Sequence, residues 1–133
     1  MVRQKKKSEF LTEVELEFMS VVWETGGGTV RDILAELNKA QERAYTSVAT
    51  VLKIMEQKGF LTSERQERSL VYRPSIRKVD YQKTSLRNLS SKLFNDTPAA
   101  LVARLVEDED VTNEMLEEIK ALLDERLGEE NGS

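Results

Sequence analysis

The sequence predicts a mainly α-helical chain interrupted by one small β-hairpin, and three observations predict it. Apolar residues recur at three- and four-residue spacing along most of the 133 positions. Hydroxyl, Gly and Pro residues punctuate these runs where helices would start and stop. Only residues 60–63 and 70–73 alternate as short strands do, and they flank a charged, hydroxyl-rich tip at 64–69.

Taken in order, the first helix opens at Thr12-Glu13-Val14-Glu15, which fits a capping box: the Thr12 hydroxyl can accept from the Glu15 amide while the Glu15 carboxylate reaches back to the Thr12 amide. Leu11 and Leu16 occupy the positions of a hydrophobic staple. Leu16, Met19 and Trp23, with Val22 alongside, form the expected inward stripe, so Trp23 reads as core. Gly26-Gly27-Gly28 is expected to end the helix in a flexible turn. Thr29 caps a second helix that faces Val30, Ile33, Leu34 and Leu37 inward, with Asp32 in its favourable first turn. The polar run 38–43 makes a turn. A third helix, from near Thr46 to Lys58, buries Val48, Val51, Leu52 and Met55, and Gly59 closes it in the left-handed conformation.

Pro74 stops the second strand because it cannot donate a ladder hydrogen bond. Residues 76–94 read as a long helix with Leu86, Leu89 and Leu93 on one stripe and Val79 behind them. Thr97-Pro98, an N-cap followed by Pro at the first helical position, opens a fifth helix through Ala100, Leu101 and Leu105. An acidic turn at 107–110 leads to a last helix capped by Thr112, which carries Leu116, Ile119, Leu122 and Leu123, with Val111 and Leu116 placed as a staple. The predicted organisation is a basic arm (1–9), a winged helix-turn-helix (10–75), a helical region (76–127) and a flexible tail (128–133).

Composition narrows the function. The chain has no Cys and no His, which removes disulfides, thiolate metal sites, the commonest general base and the usual pH switch. No Gly-rich phosphate loop or Ser-centred motif is present, since Gly26-Gly27-Gly28 lacks a following Lys-Ser/Thr. Catalysis, metal and cofactor are therefore not expected. No run approaches a membrane span, and no apolar segment follows the basic start, so a cytoplasmic protein without membrane insertion is expected. The net charge of −4 hides a division: residues 1–78 hold 14 Lys/Arg against 11 Asp/Glu, whereas residues 79–133 hold 6 against 13. A polyanion suits the first part, and protein contacts suit the second.

A helix followed by a basic hairpin can present one element to a DNA major groove and the other to the flanking backbone. On the third helix, Thr46, Ser47, Thr50 and Lys53 lie opposite the buried set, with short hydrogen-bonding side chains near the helix start. Arg65 and Arg68 bracket the wing tip, suited to phosphate or a minor groove, although Glu64 and Glu67 stand beside them. Arg31 and Arg43 are candidates for positioning contacts. Tyr45 fits either the core or the sugar–phosphate backbone. Arg3 with Lys5-Lys6-Lys7 fits a basic arm or a solubilising tail. A winged helix used only for docking other proteins is the alternative reading.

The ordered set Leu11-Thr12-Glu13-Val14-Glu15-Leu16 with Trp23, Val30-Arg31-Asp32-Ile33, Tyr45 to Leu52, Lys58-Gly59 and Tyr72-Arg73-Pro74 resembles the penicillinase repressor family of BlaI, MecI and CopY type. The resemblance covers about residues 9–127. It implies an N-terminal winged helix, a C-terminal helical dimerisation region and repression by occupying a promoter, and a two-fold dimer would demand a roughly palindromic operator. It places Thr46, Ser47, Ala49 and Thr50 on the recognition helix and the wing near residues 65–69. The chain also departs from the family. The Asn-Phe pair cleaved during induction of the β-lactam-responsive members corresponds here to Arg104-Leu105, and the paired C-terminal cysteines of the copper-responsive branch are missing. The resemblance thus leaves the inducer open. Dimerisation is expected independently, because Leu86, Leu89, Leu93, Leu101, Leu105, Leu116, Ile119 and Leu123 exceed what three short helices can bury on a small domain. A second intramolecular core is the alternative.

Overall fold

A computed structural model describes residues 10–132; the basic arm at 1–9 lies outside the described residues, as does Ser133. The element order is α1 (Glu13–Thr25), β1 (Gly28–Thr29), α2 (Val30–Leu37), α3 (Tyr45–Gln57), β2 (Leu61–Gln66), β3 (Ser69–Pro74), α4 (Lys78–Leu93), α5 (Pro98–Val106) and α6 (Asn113–Gly132). This is a mainly helical fold with an N-terminal winged helix-turn-helix and three further helices. Among the described residues no helix is long and apolar enough to cross a membrane.

Local chemistry starts the first two helices as the sequence suggests. The Thr12 hydroxyl accepts from the Glu15 amide at 3.1 Å, and the Thr12 amide donates to the Glu15 carboxylate at 2.9 Å. Thr29 and Asp32 form the same reciprocal pair at 3.0 and 3.1 Å. The inward face of α1 differs from expectation. Phe18, Met19, Val22 and Glu15 are buried, Trp23 is half-buried and Leu16 is exposed. Glu15 is buried because Lys58, at the end of α3, places its ammonium 2.8 Å from both carboxylate oxygens. Burial pushes that carboxyl up, and the Lys58 ammonium with the Thr12 amide and hydroxyl outweighs it, holding the group below its ordinary value.

The glycine run is not a flexible turn. Gly26 closes α1 in the left-handed conformation. Gly28–Thr29 then adds a third strand, in the sheet order β1-β3-β2, pairing Gly28 with Tyr72 and Thr29 with Val71. A Cβ on Gly27 would lie 2.0 Å from the Tyr72 carbonyl oxygen, so only glycine admits this approach. The hairpin is longer than expected: its ladder runs from Leu61↔Pro74 to Gln66↔Ser69, which leaves Glu67 and Arg68 as a two-residue tip with Glu67 at φ 56°.

The core of the N-terminal unit joins Phe18, Met19, Val22, Ile33, Leu37, Val48, Leu52, Met55, Phe60, Leu61, Tyr72 and Tyr81. Tyr81 belongs to α4, stacks near Phe10, Trp23 and Phe60, and accepts the Leu11 amide at 2.8 Å. The first half of α4 is thus part of this unit, which runs to Ser85.

The second unit begins at Leu86. Among its described residues no hydrophobic side chain is buried. Leu86, Leu89, Leu93, Leu105 and Leu123 are exposed, and Leu101, Leu116 and Ile119 are half-buried. A second intramolecular core is therefore not present among them. Thr112 caps α6 by accepting from the Met115 amide at 3.2 Å. Thr97 does not cap α5 with its side chain: its hydroxyl donates to the Asn95 carbonyl instead. The backbone of α6 stays helical past Gly128, where fraying was expected.

Candidate nucleic-acid interface

Two faces of α3 are separated by its own periodicity. Val48, Leu52 and Met55 turn into the core, so Thr46, Ser47, Thr50 and Lys53 emerge on the other side, where all four are exposed and Ala49 is half-buried. The helix begins without a side-chain cap, because Ala44 offers no acceptor. The Thr50 hydroxyl donates to the Thr46 carbonyl at 2.9 Å, which leaves its oxygen as an acceptor.

Beside this face lies an open cleft of about 380 Å³ between the start of α2, the flank of α3 and the wing. It gathers Arg31, Tyr45, Ala49, Lys53, Arg65 and Arg68 from three separate segments of the chain. None of the ion pairs formed among the described residues engages Arg31, Lys53, Arg65 or Arg68. Four cations facing one cleft without carboxylate partners create a local field that the chain's negative total conceals. Tyr45 resolves as a surface residue: its ring is exposed and holds the Arg31 guanidinium 5.2 Å from its centroid.

Glu56 and Tyr72 are among the cleft residues that escaped sequence reasoning. Among the described residues Glu56 is the one acidic member of the lining, and it accepts from the Ser63 hydroxyl at 2.7 Å. Tyr72 forms part of the wall, almost wholly buried. Its burial raises the phenol's pKa, and the neighbouring Glu56 and Tyr45 raise it further, so it stays a neutral donor. Alternation in β3 could have marked Tyr72 as inward, whereas no local signal distinguishes Glu56 from a solvated helix residue.

Arg43 departs from the expectation of a positioning contact. Its guanidinium donates to Glu17 at 2.6 Å and to the Leu37 carbonyl at 3.3 Å, and it sits 5.8 Å from the Phe18 ring centroid. The Arg43 amide also donates to the Asn38 side chain at 2.8 Å. This arginine fastens the turn between α2 and α3 onto α1. Trp23 likewise serves the fold, donating its indole N–H to the Ile76 carbonyl at 2.9 Å.

Comparison with known proteins identifies the family. Residues 11–125 match the penicillinase repressor family. The chain is 26% identical over 120 residues to the penicillinase repressor of Bacillus licheniformis, covering 90% of this chain and 94% of that one. It is 21% identical over 120 residues to the methicillin resistance regulatory protein MecI of Staphylococcus aureus (strain Mu50 / ATCC 700699), covering 90% and 98%. The solution structure of the Bacillus licheniformis BlaI monomeric form in complex with the blaP half-operator is 29% identical, with a TM-score of 0.47 over 54% of this chain and 88% of that one. The chain belongs to the penicillinase repressor family of winged-helix transcriptional regulators.

Proposed function

We propose that this protein is a cytoplasmic transcriptional repressor that occupies a palindromic operator as a homodimer. The observation that carries the reading is the unpaired cationic cleft alongside the exposed, hydroxyl-bearing start of α3. Thr46, Ser47 and Thr50, with the small Ala49, let the helix backbone approach base edges in the major groove, where hydroxyls can donate or accept. Arg31, Lys53, Arg65 and Arg68 supply phosphate contacts that fix register and carry most of the affinity. Dimerisation is supported by the leucine-rich surface of α4, α5 and α6, where Leu86, Leu89, Leu93, Leu105 and Leu123 stay exposed among the described residues. Two copies related by a two-fold axis would read two half-sites.

Repression of this kind needs no chemistry from the protein. Its removal from DNA needs a signal, and Arg104-Leu105 does not offer the Asn-Phe bond cut in the β-lactam-responsive branch. Arg104 is instead paired with Glu107 at 2.8 Å.

The test is selection of bound sequences from a random duplex pool, followed by titration at several salt concentrations. A palindrome should emerge, and affinity should fall about 10³–10⁵-fold between 50 and 200 mM salt if roughly 6–10 phosphates are neutralised. Replacing Thr46 and Thr50 by Ala should weaken binding to the selected site more than to random duplex. Equal loss on both would remove base reading from α3. Absence of salt-dependent binding to any duplex would instead favour a protein-docking role for the winged helix.

A further inference from the structure

Two arginines of the N-terminal unit each sit against an aromatic ring, and their hydrogen bonds differ. Arg43, beside Phe18, has its donors engaged by Glu17, Gln41 and the Leu37 carbonyl. Arg31, over Tyr45, has no hydrogen bond or carboxylate partner among the described residues. The neighbouring carboxylate, Asp32, does not neutralise it, because that group receives the Thr29 amide in the α2 capping box. The contact holds the guanidinium carbon 5.2 Å from the ring centroid and uses none of the five N–H donors as a hydrogen bond to a described residue. The Arg31 group is therefore held by the ring while its donors stay open, at the edge of a cleft shared with Lys53, Arg65 and Arg68.

We infer that Arg31 and Tyr45 form a preorganised seat for one DNA backbone phosphate, in which Arg31 makes a bidentate contact and Tyr45 acts only through Arg31, as a positioning residue. The inference rests on the operator-binding reading and adds to it a role for Tyr45 that involves no contact with DNA. The pair spans two helices: Arg31 lies in the first turn of α2 and Tyr45 is the first residue of α3. Seating the phosphate there would register the start of α3 against the duplex through a contact carrying no sequence information. Lysine could not replace Arg31, since an ammonium offers a point charge without the planar fork that stacks and bridges two oxygens.

The experiment titrates the full chain with a fluorescent duplex over a range of salt, using wild type, Arg31→Ala, Arg31→Lys, Tyr45→Phe, Tyr45→Leu and the double variant Arg31→Ala/Tyr45→Leu. Circular dichroism checks that each variant is folded. Tyr45→Phe should match wild type, because the ring is kept. Arg31→Ala should lower the log–log salt slope by about one unit per protomer, which is about tenfold weaker binding near 0.1 M salt for each protomer engaged. Tyr45→Leu should weaken binding in the same direction, and the double variant should bind no worse than Arg31→Ala alone. Additive losses would overturn the inference, since Tyr45 would then act independently of Arg31. So would a Tyr45→Leu protein indistinguishable from wild type, or Arg31→Lys retaining full affinity. If wild type itself shows no salt-dependent retention of duplex, the operator-binding reading fails first, and that result is distinct from any difference among the variants.

Discussion

Leu52 and Leu89 are both leucines on the apolar stripe of a helix, yet the first is fully buried and the second is 42% exposed. The contrast holds for the two units that contain them. Up to Ser85, three helices, a three-stranded sheet and the first half of α4 close over one another around one buried hydrophobic cluster. From Leu86 onward, no hydrophobic side chain among those described is buried, although apolar residues are comparably frequent. Periodicity alone states that a helix has an apolar face. Whether the chain covers that face itself depends on how many neighbouring elements converge, and here only the first unit has enough.

The largest loss is expected in the closed core. Leu52→Ala should cost about 2–5 kcal/mol in urea denaturation, since it leaves a cavity among well-packed neighbours. That loss should not depend on protein concentration. The corresponding change in the second unit should act through association: Leu89→Asp with Leu93→Asp is expected to give a monomer on sizing chromatography. Its unfolding midpoint should also lose any dependence on protein concentration. A dimer that survives both substitutions would show that the exposed face of α4 is not what joins two copies. A smaller effect is expected at the Glu15–Lys58 pair, where Lys58→Ala strands a buried carboxylate and should cost on the order of 1–3 kcal/mol near neutral pH. The depressed folded-state value of Glu15 fixes the sign. Its stabilisation is fully present above the ordinary carboxylate value of 4.5 and is lost as pH falls through the lower folded value. The gap between wild type and Lys58→Ala, followed by denaturation at several pH values, should therefore narrow in acid.

These features were not equally legible in the sequence. Thr12 with Glu15 and Thr29 with Asp32 announced the starts of α1 and α2, because a cap is a local pattern of four residues. Gly59 and the two alternating segments likewise announced the end of α3 and the hairpin. What stayed hidden depended on distance along the chain. Glu15 reads as solvated until Lys58, 43 positions later, is brought beside it. The inward face of α1 was misjudged at Leu16 and Phe18 for the same reason: the direction of the core is set by partners that local spacing does not reveal. The candidate site divides similarly. The exposed face of α3 followed from its buried one, and Arg65 and Arg68 followed from the hairpin. The engagement of Arg43 with Glu17, and the entry of Glu56 and Tyr72 into the cleft, required the packed molecule.

The bare backbone at Gly27 has a practical result for anyone building chimeras from this fold. Because the Tyr72 carbonyl rests where a methyl group would otherwise be, the inner strand of the hairpin is seated on a segment more than forty residues upstream. Wings exchanged between relatives as isolated inserts would arrive without their footing. A transplant that carries the glycine segment along with the hairpin should hold its aim, while one landing on an alanine at that spot should tilt the graft or fail to pair at all.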